Sequence, residues 1–112
     1  MDGRIAQIAH EYKANLQQIY GNELAELVLF GSYARGDYRE ESDVDFAIVL
    51  HNPNTRASAE LIKTSPCASC LSVKYGVAIS SLSVALHKKQ TSMLGIYREI
   101  RKDGIRSPEN FG

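Results

Sequence analysis

The sequence predicts a small α/β or α+β domain, with helices packed on a short sheet, and three observations carry that reading. Residues 25–30 and 44–50 are short apolar runs bounded by turn residues, as buried strands are. Apolar residues at helical spacing mark the segments near both ends. The composition is that of one globular body: 112 residues, 44% hydrophobic and 23% charged, with 13 basic residues balanced by 13 acidic ones. A single domain over residues 1–112 is the expectation. The apolar content and the zero net charge exclude intrinsic disorder. The same balance argues against direct nucleic-acid binding through bulk charge. No apolar run approaches the ~20 residues that span a bilayer. The opening MDGRIAQIAHEYK carries an early acid and no continuous apolar stretch, so it does not read as a secretory signal. The expected location is cytoplasmic, without membrane contact.

Residues 3–20 read as an amphipathic helix, with Ile5, Ile8, Ala9, Tyr12, Leu16 and Ile19 on one face. Gly21 stands where a helix-ending residue with positive φ belongs. Residues 25–30 are the first strand, 31–42 a polar, glycine-punctuated stretch, and 44–50 the second strand. Residues 51–54, with Pro53, make a turn. Residues 57–63 have helical character. Ser65 and Pro66 then follow the order of an N-cap and a first helical residue, so a helix over 66–75 ended by Gly76 is the simplest reading. One longer helix kinked at Pro66 is the alternative. Residues 77–84 predict a third strand of mixed polarity. Residues 88–103 predict a last helix, with Met93, Ile96, Tyr97 and Ile100 on one stripe and Gly104 as its stop.

The chemistry concentrates between residues 31 and 45. Gly31 follows a strand and permits close backbone approach to a ligand. Ser32 can cap a helix and offers a hydroxyl to an anion, and N–H groups exposed at such a junction suit phosphate. Arg35 and Arg39 can pair with phosphate oxygens. Asp43 and Asp45 stand two apart on the second strand, so alternation turns both carboxylates to one face. They repel each other unless they are solvated or share a hard cation such as Mg²⁺. A phosphate cradle beside paired carboxylates is the equipment of metal-assisted nucleotidyl transfer.

GSYARG followed by SDVD, with the Ser32 to Asp43 spacing seen here, resembles the signature of the DNA polymerase β-like nucleotidyltransferase superfamily. More closely, it resembles the minimal nucleotidyltransferase (MNT) proteins, small stand-alone bacterial and archaeal domains. The likeness runs through LVLFGSYARGD, DVDFAIVL, KYGVAIS and YREIRKDGI. It implies the small polymerase β-like palm fold, a short mixed sheet with helices packed on it. It also implies that Gly31 and Ser32 hold nucleotide phosphates, with Arg35 as a further candidate, and that Asp43 and Asp45 are the catalytic, Mg²⁺-binding pair. The implied reaction moves a nucleoside monophosphate, AMP from ATP, to a hydroxyl and releases pyrophosphate. The implied partner is a HEPN-domain toxin, neutralised by adenylylation of a tyrosine or by binding, in a homo- or hetero-oligomer. A chain of this length carries no extra domain to present an acceptor, so the acceptor is expected on a separate molecule.

One departure matters. The superfamily usually carries a third carboxylate on the next strand, and Ser80 occupies the expected place. No Asp or Glu lies between Lys63 and Arg98. Glu40 and Glu41 are near in sequence and could compensate. The second functional reading is therefore an MNT-type antitoxin, weak or inactive in catalysis, that neutralises its partner by binding. Transfer to a small molecule ranks third.

Other features carry blander readings. Cys67 and Cys70 have metal spacing, but a zinc site would need two further ligands, such as His51 and His87. Cys67, Cys70 and Leu71 also fit one apolar helical face, which favours core packing. His10 and His87 read as surface residues. Tyr33 and Tyr38 flank the candidate loop, where each could stack on a base or pack under the chain.

Overall fold

In the computed structural model, residues 3–107 are described. The chain opens with helix α1 (Gly3–Tyr20), followed by a single 3-10 turn at Gly21–Glu23. Strand β1 (Leu24–Phe30) leads into a one-turn helix α2 (Ser32–Arg35), and an irregular stretch leads to β2 (Val44–Leu50). Helix α3 (Ala57–Tyr75) connects β2 to β3 (Ile79–Ala85). Helices α4 (Leu86–Thr91) and α5 (Gly95–Asp103) follow, and β4 (Ile105–Arg106) closes the sheet. The strand order is β3-β2-β1-β4. β1 runs antiparallel to β2 and β4, whereas β2 and β3 run parallel through the α3 crossover.

Strand alternation divides the core in two. Leu27, Leu29, Phe46, Ile48 and Leu50 face α1 and α3, where they meet Ile5, Ile8, Tyr12, Leu16 and Leu71. Val28, Phe30, Ala47, Val49 and Val84 face the other way, onto Ile100 of α5. Both faces are covered, and this explains why β1 and β2 read as apolar runs rather than as alternation. Tyr12 is fully buried, edge-on to Phe46 at 5.4 Å, and its hydroxyl shares a hydrogen bond with Ser81 Oγ at 2.6 Å. The burial it suffers raises its pKa. Polar ties join the layers at the rim. The Tyr20 hydroxyl donates to Glu60 at 2.8 Å, linking α1 to α3. Glu26 of β1 accepts from Lys89 of α4 at 2.8 Å and from Arg106 of β4 at 3.2 Å.

Several expectations change. The helix over 66–75 is the second half of one long helix, and Ser65 does not cap it; its hydroxyl donates back to the Leu61 carbonyl at 2.6 Å. Pro66 lies on the exposed side, so its ring and the Ile62 carbonyl it leaves unpaired both face water. Thr64, Ala68 and Leu71 on the opposite side are buried, and that packing carries the helix through the proline.

The predicted helix over 88–103 is two helices broken at 92–94, where the Leu94 N–H turns to Ser92 Oγ. Met93 is 72% exposed and Ile96 37%, so only Tyr97 and Ile100 of the expected stripe pack inward. Gly104 does end α5, with an ordinary negative φ. Glycine is needed there for space, because a Cβ would run into the Ile100 carbonyl and the Val28 side chain. The pairing of β4 to Val28 and Leu29 was not foreseen. Two residues make too short a run to leave a pattern. Ile19 is 42% exposed, beyond the end of the α1 contact. Gly21 has the expected positive φ of 56°.

Candidate active site

The site forms where β1 and β2 end beside each other. Phe30 is the register partner of Asp45, so the next residue, Gly31, sits against the Asp45 side chain. Gly31 has φ 75° and ψ −156°, a conformation open only to glycine. A Cβ there would collide with the Asp45 carboxylate. The sequence thus needs glycine at this point twice over, for the backbone turn and for the closeness of the acid. Helix α2 begins immediately. The Ala34 and Arg35 N–H groups both bond the Gly31 carbonyl at 3.1 Å. The N–H groups of Ser32 and Tyr33, one turn earlier, have no carbonyl of their own helix within reach. Gly36, at φ 87°, ends α2 with its N–H on the Ser32 carbonyl. The helix cap is Gly31 and makes no side-chain cap bond, so Ser32 is the first helical residue rather than the cap.

Asp45 lies in β2 and Asp43 just before it, exposed and outside the strand where the spacing had put it. The two still act on each other. The Asp45 carboxyl is pushed above its ordinary range first by burial, then by the charges of Asp43 and Glu99, while Arg35 draws it back. An acid in that position gains from a cation. Two carboxylates are hard oxygen donors suited to a small divalent ion whose remaining positions go to phosphate oxygens and water. Among the described residues no three His, Cys, Asp or Glu side chains form a ligand group.

Ser80 occupies the place expected of a third acid. It is the direct register partner of Asp45 on β3, is exposed, and shares its face of the sheet. Glu40 and Glu41 lie on the exposed turn. The additional negative charge felt by Asp45 comes instead from Glu99 on α5. Sequence reading stopped at the stretch between Lys63 and Arg98 and missed it, because a residue far along the chain reaches the site only through the packing of α5. Glu99 accepts from Arg35 Nη1 at 2.7 Å, and Arg35 Nε donates to Asp37 at 3.3 Å. These acids hold the Arg35 pKa above its ordinary value, Asp37 more strongly.

Tyr33 is buried under the turn, and Tyr38 stacks on it with ring centroids 4.2 Å apart and planes 10° from parallel. Together with Arg35, Gly36 and Ile105 they line a cleft of about 380 Å³. Cys67 is half-buried with its thiol on the Thr64 carbonyl at 3.2 Å, and burial pushes that thiol up. Cys70 is exposed, so of the three residues expected on one apolar face only Cys67 and Leu71 pack inward. His10, His51 and His87 are exposed.

A mixed four-stranded sheet with helices on both faces, and a glycine turn seated on one of two neighbouring acids, defines a small α/β domain with its candidate site at the ends of β1 and β2. The chain belongs to the nucleotidyltransferase domain family, whose model matches residues 10–103. It is 37% identical over 109 residues to MJ0141 of Methanocaldococcus jannaschii, provisionally named a protein adenylyltransferase, covering 96% of this chain and 95% of that one. Its fold matches a provisionally named nucleotidyltransferase from Sulfolobus solfataricus with a TM-score of 0.66 at 21% identity, covering 93% of this chain and 79% of that one. It also matches a chain in the complex of the tri-AMPylated Shewanella oneidensis HEPN toxin with its MNT antitoxin. That TM-score is 0.54 at 15% identity, covering 90% of this chain and 70% of that one. No helix among the described residues is long and apolar enough to cross a membrane.

Proposed function

We propose that this protein is a Mg²⁺-dependent nucleotidyltransferase that moves AMP from ATP to a hydroxyl, a tyrosine of a HEPN-type toxin, and so acts as an antitoxin. The observation that carries the reading is the contact between the Gly31 backbone and the Asp45 carboxylate, with Asp43 beside it. It seats the turn that opens α2, with its Ser32 and Tyr33 N–H groups, directly against one of two neighbouring acids. Gly31 and Ser32 hold phosphate oxygens through main-chain N–H groups and the Ser32 hydroxyl. Arg35 supplies a charged donor to the same phosphates. Asp43 and Asp45 would hold the ion. Bound there, a divalent cation neutralises developing phosphoryl charge and lowers the pKa of the attacking hydroxyl. The relatives' names and the AMPylated toxin support the choice of AMP and of a protein acceptor.

Incubation with Mg²⁺ and α-phosphate-labelled ATP, in host lysate or with a co-purifying partner, tests the proposal. Label on a protein band, absent with the Asp43→Asn/Asp45→Asn variant, is the expected outcome. No label from a folded protein that still captures its partner would sink the catalytic reading. Ser80 beside Asp45 favours the second reading, an antitoxin that acts by binding, because a neutral hydroxyl is a poor general base and a weaker ligand for a hard cation than a carboxylate. If Asp45→Asn leaves neutralisation intact, that reading wins.

A further inference from the structure

Arg35 and Glu99 are 64 residues apart in sequence and meet beside Asp45. An arginine side chain is a long, flexible arm, and one at the end of a one-turn helix has little else to hold it. Its guanidinium is a planar fork of N–H donors. Asp37 takes the Nε–H and Glu99 takes one Nη1–H, which fixes the plane of the fork and leaves its other donors open. The backbone that carries Glu99 is anchored to the sheet. The neighbouring Ile100 is 1% exposed in the core against Val28, and Gly104 lets α5 lie close on β1. The pair is thus anchored to the sheet from two directions, by α2 through Gly31 and by α5 through Ile100.

We propose that Glu99 is a positioning residue, holding the Arg35 guanidinium at the edge of the site so that a nucleoside triphosphate meets a cation already oriented. This rests on the nucleotidyltransferase reading above and deepens it. Orienting Arg35 before binding removes an ordering cost that the nucleotide would otherwise bear. A carboxylate that held Arg35 back from the phosphates would do the opposite, and its removal would tighten binding.

The test is titration of the full chain with a fluorescent ATP analogue and Mg²⁺, using Glu99→Ala, Glu99→Gln, Arg35→Ala and the Glu99→Ala/Arg35→Ala double variant. Half-exposed ion pairs are modest, so Glu99→Ala and Arg35→Ala are each expected to weaken nucleotide binding about fivefold. Glu99→Gln, which keeps an acceptor of the same shape, falls between Glu99→Ala and the parent. In label transfer the loss falls on KM for ATP rather than on kcat. The double variant binds no more weakly than Arg35→Ala alone. Equal or tighter binding by Glu99→Ala overturns the positioning role, as does a full additional loss in the Arg35→Ala background. Absence of binding by the folded parent chain overturns the nucleotidyltransferase reading itself, and the positioning role with it.

Discussion

Gly31 is the residue on which the site depends most directly. Replacing it with alanine strains a backbone at φ 75° and drives a methyl group into the Asp45 carboxylate. Gly31→Ala is expected to cost about 2–4 kcal/mol in denaturant unfolding. Part of that loss returns in an Asp45→Ala background, where the collision is gone and only the φ strain remains. Asp45 predicts the opposite sign. Its folded pKa is raised, so the native state holds the proton more tightly than the unfolded chain does. The stabilising effect of protonation is fully present below the unfolded pKa and is lost as pH rises through the folded one. In EDTA at neutral pH, Asp45→Asn is therefore expected to melt about 1–3 °C above the parent, with the difference closing as the pH drops into the carboxylate range. Added Mg²⁺ raises the melting temperature of the parent and not of the variant. A variant that melts lower than the parent in EDTA would contradict the account of Asp45 as a strained acid.

At the scale of the elements, α3 and α5 show how packing overrides local signals. Pro66 carries both a missing donor and a steric penalty inside a helix, and α3 tolerates them because Ala68 and Leu71 are held by the sheet. Pro66→Ala restores the bond to the exposed Ile62 carbonyl, while releasing some unfolded-state freedom that the ring had removed. The net expectation is a gain of about 1–2 kcal/mol, read as a higher denaturant midpoint at unchanged slope. A loss would mean that the proline shapes α3 for the packing of Thr64 or Cys67. The same competition explains the misread last helix. Its apolar spacing continued across 92–94, but Ser92 offers its own side chain to the backbone there, and the sheet has room only for Tyr97 and Ile100.

For the molecule as a whole, the sheet separates a face that supports stability from one that also supports the site. Leu16 and Ile100 are comparably buried on opposite faces. Either one changed to alanine is expected to cost about 2–4 kcal/mol in unfolding. Only Ile100→Ala is expected to weaken nucleotide binding in a still-folded protein as well, because it loosens α5 and hence Glu99 against Arg35. Equal binding losses from both would show that the site responds to global stability alone.

Much of this architecture was written in local pattern. The α1 stripe as far as Leu16, both apolar strands and the Gly21 stop follow from spacing, because each concerns residues adjacent in the chain or one helical turn apart, whereas the meeting of Gly31 with Asp45, fourteen residues on, needed the β1–β2 register. The register of Ser80 beside Asp45 could be expected only through a family likeness, and the β2–β3 pairing now supplies it directly. The continuity of α3, the break before α5, the β4 pairing and the arrival of Glu99 at Arg35 were decided by the tertiary structure. Each depends on which side of a helix faces the sheet, or on contacts between segments many residues apart. Local periodicity carries no information about such contacts until the two core layers have formed.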